Sequence, residues 1–261
     1  MYSKKETQAA IKIQSFFRKG LAKKAYNIKQ IPKQDLEDYK VMIKGNDPII
    51  DKLPQHEANE DVALIAVSGM RSLEIACQLS KGKPKLIIID NSRQVVEFWR
   101  KARAVMSQSY NETDFLNELK DYVVGTRCNR PRFTDNEFEY LEKIFHTFEF
   151  TRIKQIISNV TVLGQSWADE QVMFKVKNIL DYHGIRNIYA YPSNLIAYLD
   201  GDREGDKILQ NIALVNPIMA IHTDFVKDKP NAYFLITDHT PYKVKQVLLS
   251  SKNNNTFQPS V

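Results

Sequence analysis

Two short apolar runs separated by an amphipathic helix constrain the fold of this chain most strongly. Residues 62–67 (VALIAV) and 85–90 (KLIIID) have the length and composition of buried strands. Helical periodicity follows each run, in LEIACQLSKGK and in RQVVEFWRKARAVMSQ, and Ser92 is a suitable cap for the second helix. This alternation is typical of a βαβ unit, so we predict an α/β protein with a mostly parallel, Rossmann-like sheet flanked by helices.

The rest of the chain continues the alternation of strands and helices. Residues 160–165 and 187–194 predict a third and a fourth strand, and residues 218–225 and 232–238 predict a late antiparallel hairpin. Residues 110–159 lie between the second and third strands and have helical patterns. We expect this insertion to cap the edge of the sheet or to form a lid that faces a substrate.

Small and polar residues follow the predicted carboxyl ends of four strands. They are Ser68 and Gly69, Asp90 and Asn91, then Gln165, Trp167 and Asp169, and finally Asn194. In open α/β sheets, ligands bind beyond these ends, where the strand order reverses. A glycine there allows close approach of the backbone, and a carboxylate can accept hydrogen bonds from the hydroxyls of a ribose. The pattern therefore predicts a ligand site at this edge.

On these residues, the region 61–239 resembles a Rossmann-like (class I) S-adenosylmethionine-dependent methyltransferase. VALIAVSGMRSLEIA matches the place of the glycine-rich first motif, LIIIDNS the acidic second motif, and VLGQSWAD and AYPSN the adenine-side and catalytic-side loops. The first motif departs from the family because it contains one glycine, followed by Met70 and Arg71. The resemblance implies S-adenosylmethionine as the cofactor, bound by Ser68, Gly69, Asp90, Asn91, Gln165, Trp167 and Asp169, with Asn194 orienting the substrate.

Each of these residues also has a purely structural interpretation. Asp90 is a common type of turn residue after a strand, Trp167 a common core residue, and Asn194 a possible helix cap. His222 and His239 each have an acidic neighbour in the late hairpin, and we expect both pairs to lie at the surface.

The amino-terminal stretch IQSFFRKGLAKKAY, residues 13–26, is a basic amphipathic segment. In helical periodicity Ile13, Phe17 and Leu21 form one apolar stripe, and lysine and arginine residues surround it. The stretch resembles an IQ motif, with Ile13, Gln14, Arg18, Lys23 and Tyr26 at its characteristic positions, although Lys19 stands where the family usually has glycine. The resemblance implies a calmodulin-type partner. Packing on the chain's own domain and binding to an acidic membrane surface are the alternatives.

The positive charge of the chain is concentrated in this arm. Residues 1–31 contain eight lysine and arginine residues against the single acid Glu6, whereas the whole chain carries +6. The remaining residues are therefore close to neutral, which argues against a broad nucleic-acid surface on the main domain. Cys77 and Cys128 are the only cysteines, and no zinc-ligand spacing is present. There is also no apolar run long enough to cross a bilayer. We therefore expect a cytoplasmic protein, and from the cysteine spacing we expect no metal site.

These observations predict four regions and one leading function. We expect a calmodulin-binding helix at 1–31, a connector at 32–58, a methyltransferase-type domain at 59–249 with its insertion at 110–159, and a disordered tail at 250–261. The leading function is a methyltransferase recruited by calmodulin, for example a bacterial effector acting in the cytosol of a host cell. The alternatives are a non-catalytic calmodulin-binding adaptor and, last, a dehydrogenase, which requires a fuller glycine motif.

Overall fold

The computed structural model describes residues 28, 30–38, 41, 43, 47–126, 135–198, 203–224 and 232–253. The chain divides into two units, Met1–Gln30 and Ile31–Val261. Only Ile28 and Gln30 of the first unit are described. The predicted calmodulin-binding positions in residues 13–26 therefore lie outside the described residues.

Among the described residues, six strands form one sheet. They are β1 (Val62–Ala66), β2 (Lys85–Asp90), β3 (Thr161–Gly164), β4 (Asn187–Ser193), β5 (Met219–Asp224) and β6 (Ala232–Ile236). Their order is β3-β2-β1-β4-β5-β6, with β1 to β5 parallel and β6 antiparallel to β5. The predicted α/β fold with a late antiparallel hairpin is confirmed. The order reverses between β1 and β4, which is the topological switch point.

The described helices follow the strands in the predicted alternation. They are α1 (Arg71–Leu79), α2 (Arg93–Gln108), α3 (Glu112–Thr126), α4 (Asp135–Thr147), α5 (Phe150–Ser158), α6 (Glu170–Tyr182), α7 (Arg203–Val215) and α8 (Pro241–Asn253). Helices α1, α2 and α5 pack with Leu64 of β1 and Ile88 of β2 in the main core. Helices α7 and α8 pack with Phe234 of β6 in a second cluster.

The helical insertion is part of the main core. Phe115 of α3, Leu141 of α4 and Ile153 of α5 are fully buried and belong to the same cluster as the sheet. The rings of Phe115 and Phe145 lie 5.6 Å apart, centroid to centroid. The described insertion therefore extends the hydrophobic core on the side of the sheet that carries α1 and α2.

The described residues among 31–50, which we call the strap, cross the carboxyl-terminal edge of the sheet. The strap begins at β3, where the Ile31 N–H donates to the Gly164 carbonyl over 2.9 Å. Next to β2, Glu37 forms a parallel bridge with Ser92. A single 3₁₀ turn, Lys33–Asp35, interrupts this otherwise irregular stretch.

The strap then passes β1 and reaches the ends of β4 and β5. The Ile43 carbonyl accepts a hydrogen bond from the Met70 N–H just beyond β1, over 2.9 Å. The side chains of Val41 and Ile43 are fully buried in the main core. Farther along, the carboxylate of Asp47 accepts hydrogen bonds from residues at the ends of β4 and β5. The strap is thus packed on the α/β domain as part of the second unit.

One element boundary differs from the sequence-based expectation. Helix α8 continues to Asn253, into the predicted tail, because no glycine or proline follows Pro241 within it. Residues 254–261 lie outside the described residues.

Among the described residues, no helix combines the length and the apolarity that crossing a bilayer requires.

Candidate functional site

Asp90 ties the ends of β1 and β2 together. One carboxylate oxygen accepts a hydrogen bond from the Ser68 N–H over 3.0 Å, and the other accepts from the Ser92 N–H over 2.8 Å. Burial raises the pKa of Asp90 to about 6, although both hydrogen bonds act in the opposite direction. The residue predicted to bind a ribose therefore has both oxygens engaged by the backbone of its own domain.

The loop after β1 contacts α2 and the strap. Ser68 has a left-handed backbone (φ 62°), and its carbonyl accepts a hydrogen bond from the indole N–H of Trp99 over 2.6 Å. Gly69 and Met70 are buried, and the Met70 N–H donates to Ile43 of the strap. The backbone N–H groups of residues 68 and 70 are therefore donated within the chain.

The residues predicted to bind adenine make structural contacts beyond β3. Trp167 is buried and donates its indole N–H to the Ile89 carbonyl over 2.8 Å. Asp169 caps α6, because its carboxylate accepts from the Val172 N–H over 3.2 Å. Gln165 is buried, and its N–H donates to the Asp90 carbonyl over 3.1 Å. Gln165 is therefore hydrogen-bonded directly to the backbone of Asp90.

Asn91 and Asn194 lie at the ends of β2 and β4. The Asn91 carbonyl accepts from the Glu37 N–H of the strap over 2.9 Å. Asn194 is half-buried, and its side-chain oxygen lies 3.4 Å from the Ser193 hydroxyl oxygen. The predicted residues Ser68, Gly69, Asp90 and Asn91 thus lie together at the ends of β1 and β2, beneath the strap.

Three hydroxyl groups at the ends of β4 and β5 converge on one carboxylate. The Ser193 hydroxyl donates to Asp47 over 2.7 Å and the Thr223 hydroxyl over 2.5 Å, and the phenol of Tyr191 also donates to Asp47. We call Tyr191, Ser193 and Thr223 the hydroxyl cradle. All three side chains are buried. Burial, and then the negative charge of Asp47, raises the pKa of Tyr191 well above its ordinary value, so its phenol remains a donor.

A local irregularity of β4 brings the hydroxyl cradle together. The register of β4 with β5 shifts between Ala190, which pairs with Ala220, and Ser193, which pairs with His222. Ser193 also has a left-handed backbone, with φ 55°. Such a bulge redirects side chains near the end of a strand. In this protein it accompanies the meeting of Ser193 with Thr223, whose hydroxyls lie 3.3 Å apart.

A buried arginine lies next to the hydroxyl cradle. Arg71 at the start of α1 is 5% exposed, forms an ion pair with Glu74, and donates to the backbone carbonyl of Asp47 over 3.3 Å. Its guanidinium carbon lies 4.8 Å from the centroid of the Tyr140 ring, and the Tyr140 phenol donates to Glu74. Arg71 therefore adds positive charge beside the Asp47 carboxylate.

Sequence reasoning missed the hydroxyl cradle, although one signal for it was present. Tyr191 and Ser193 alternate along β4, and alternation places both side chains on the same face of a strand. Thr223 lies at the end of the next strand of the sheet. No periodic pattern marked Asp47, because it lies in the strap, which has no regular secondary structure at that residue.

The expectation that His222 and His239 lie at the surface is wrong. His222 is 1% exposed, and its ring nitrogens have no hydrogen-bond partner among the described residues. His239 is also buried, with one ring nitrogen 2.6 Å from the Pro217 carbonyl. His222 lies opposite Phe234 of β6, so its ring faces the second hydrophobic cluster rather than water. Burial lowers its pKa to about 3, with a smaller contribution from His239.

Comparison with known protein families supports the interpretation of the amino-terminal arm. Residues 7–27 match the model of the IQ calmodulin-binding motif. The IQ part of the sequence-based prediction is therefore confirmed. The matched range lies within the first unit of the chain. No curated protein matches this chain.

Proposed function

We propose that this protein binds a calmodulin-type partner through residues 13–26. The match of residues 7–27 to the IQ motif carries this proposal. The apolar stripe of Ile13, Phe17 and Leu21 suits a helix that inserts into the hydrophobic groove of a partner. Gln14, Arg18, Lys23 and Tyr26 complete the motif, and the lysines and arginines add electrostatic attraction to an acidic partner.

Calorimetric titration of the full chain with calmodulin, with and without calcium, tests the proposal. Phe17→Asp places a charge in the apolar stripe and should weaken binding about tenfold or more. Phe174→Asp is the matched control, because Phe174 is 54% exposed on α6 of the other unit. Equal affinities for the wild type and Phe17→Asp would contradict the proposal, as would a complete lack of binding by the wild type.

For the α/β domain, we propose the role of a non-catalytic adaptor. The engagement of its strand ends within the chain supports this role. Both oxygens of Asp90 and the N–H groups of Ser68 and Met70 have partners in the domain itself, and the strap crosses the ends of five neighbouring strands. In the described conformation the strap lies over these groups, so S-adenosylmethionine would reach them only after the strap had moved. An adaptor requires a stable surface and no open cleft for a cofactor.

S-adenosylmethionine-dependent methyl transfer is a second candidate. It is favoured by the position of the switch point between β1 and β4 and by Asp90 at the end of β2, 3.0 Å from the Ser68 N–H. In this candidate, the residues at the ends of β1 and β2 hold the cofactor after the strap has moved, and Asn194 orients the methyl acceptor. A bacterial effector of this type would be active only with a calmodulin-type protein of its host.

Calorimetry of the full chain with S-adenosylmethionine, alone and with calmodulin, separates the two candidates. Methyl transfer requires saturable binding that Asp90→Asn weakens and Asp61→Asn, at an exposed position before β1, leaves unchanged. An adaptor binds no S-adenosylmethionine in either condition. If binding occurs, equal turnover with and without calmodulin would remove the idea of activation by the partner.

A further inference from the structure

The hydroxyl cradle surrounds the Asp47 carboxylate with three hydroxyl donors. Tyr191, Ser193 and Thr223 all donate to the same carboxylate, from the ends of two neighbouring strands. Elsewhere on the chain, the carboxylate of Asp51 accepts from one phenol, that of Tyr233, over 2.7 Å. Three convergent hydroxyls together form a shaped site for an anionic oxygen group.

We propose that the hydroxyl cradle is a recognition site for the carboxylate of a small ligand, and that Asp47 occupies it as an internal ligand. The site lies at the ends of β4 and β5, next to the switch point where open α/β sheets bind ligands. It is separate from the positions at β1 and β2 that the methyltransferase resemblance assigns to a cofactor.

The charge around the hydroxyl cradle suits a carboxylate. The guanidinium of buried Arg71 lies close enough to donate to the Asp47 backbone, and its charge acts on the neighbouring Tyr191 phenol. Arg71 is paired with Glu74, which offsets part of its positive charge. The hydroxyl donors therefore carry most of the preference for an anionic oxygen group, and Arg71 adds to it.

Backbone strain at the hydroxyl cradle supports a binding role. Ser193 adopts a left-handed conformation that a non-glycine residue rarely takes, and the register shift lies just before it. Strained residues and bulges concentrate at ligand sites, where the surrounding structure holds them in place. Asn194 follows directly, with its side-chain oxygen 3.4 Å from the Ser193 hydroxyl, and offers a further polar group next to the hydroxyl cradle.

Asp47 and a ligand carboxylate cannot occupy the hydroxyl cradle at the same time. A ligand carboxylate in the hydroxyl cradle displaces the Asp47 side chain, while Val41 and Ile43 remain buried nearer to β1. A ligand must therefore compete with a tethered carboxylate, whose effective concentration is high. Removal of the Asp47 carboxylate should expose a site that takes up a free carboxylate.

Rescue of Asp47→Ala by formate tests the proposal. The substitution deletes the carboxylate, and formate is small enough to replace it. In thermal unfolding of the full chain, formate should raise the melting temperature of Asp47→Ala in a saturable manner, whereas formamide and chloride at the same concentrations should not. The additional substitution Thr223→Val, which removes one donor, should weaken the apparent affinity for formate.

Asp51→Ala is the matched control, because it removes a carboxylate directly after the strap that has one phenol partner. It and the wild type should show no selective response to formate. Equal shifts with formate and formamide, or an equal response of Asp51→Ala, would overturn the proposal. If Asp47→Ala does not fold alone, recovery of its circular dichroism spectrum becomes the readout. Recovery with formate and not with formamide supports the site, and recovery with both or with neither overturns it.

Discussion

Two buried ionisable residues of the sheet respond to pH in opposite directions. Burial disfavours the charged imidazolium of His222 and lowers its pKa to about 3, whereas burial disfavours the charged carboxylate of Asp90 and raises its pKa to about 6. As the pH falls below 6.5, the unfolded chain protonates at residue 222 before the folded chain does. At Asp90, the folded chain takes up the proton first. Acid therefore destabilises the fold through His222 and stabilises it through Asp90.

His222→Met should remove the acid-destabilising contribution. Because the folded pKa of His222 lies below the unfolded value of 6.5, the wild type should lose about 2 kcal/mol of stability relative to the variant between pH 6.5 and about pH 5. Urea unfolding of both proteins at the two pH values measures this difference. His146→Met, at an exposed position on α4, is the control and should show no such pH-dependent difference. The same pH dependence in the wild type and His222→Met would contradict the assignment.

Ser68→Gly should stabilise the protein. Ser68 has a φ of 62°, which a glycine adopts without the steric penalty of a Cβ, so we expect a gain of about 1 kcal/mol in the free energy of unfolding. Ser68→Ala keeps the Cβ and should give no gain. Ser193→Gly relieves a similar backbone but loses the hydroxyl bound to Asp47, so it should destabilise the chain. Urea unfolding compares the three variants, and a gain for Ser193→Gly equal to that for Ser68→Gly would argue against a structural role of the hydroxyl cradle.

Among the structural elements, the strap contacts the ends of several strands without forming a regular helix or strand itself. It has little secondary structure, yet Val41 and Ile43 are as deeply buried as the strand residues, and its backbone bonds to the ends of β3, β2 and β1. Side-chain burial and several single backbone hydrogen bonds together hold it on the sheet.

Ile43→Ala should loosen the strap. Deleting a fully buried isoleucine typically lowers the free energy of unfolding by about 2–5 kcal/mol, and we expect a loss in this range. Ile49→Ala is a matched control in the same strap, because Ile49 is 71% exposed, and it should change stability by less than about 0.5 kcal/mol. Equal effects of the two substitutions in denaturant unfolding would show that the strap is not packed as described.

The sheet could be predicted because a buried strand is recognisable from a short, continuous run of apolar residues. The runs around Leu64 and Ile88 are continuous, so their burial on both faces could be inferred without a structure. The strap could not be placed, since its position depends on contacts with residues far along the chain, such as Asp47 with Thr223. Ser68 and Asp90 lie at the strand ends where the sequence placed them. The hydrogen bond between them was not predicted, because it joins two residues that are far apart along the chain.

For the whole molecule, the positive charge is concentrated in the amino-terminal arm. Residues 1–31 contain eight basic residues and one acidic residue, whereas the rest of the chain is nearly neutral. Binding of an acidic partner by the arm should therefore weaken as salt is added, because salt screens the attraction between exposed charges. A titration at two ionic strengths checks this expectation. Unchanged affinity at high salt would indicate that apolar contacts alone carry the binding.

The central claim is that a calmodulin-type partner is bound by the IQ segment and not by the α/β domain. Hydrogen–deuterium exchange of the full chain, with and without calmodulin, tests it most directly, because each peptide reports its own protection. We expect calmodulin to slow exchange in peptides from residues 7–27, the range that matches the IQ motif. Protection confined to peptides from residues 31–261, with no change in residues 7–27, would contradict it.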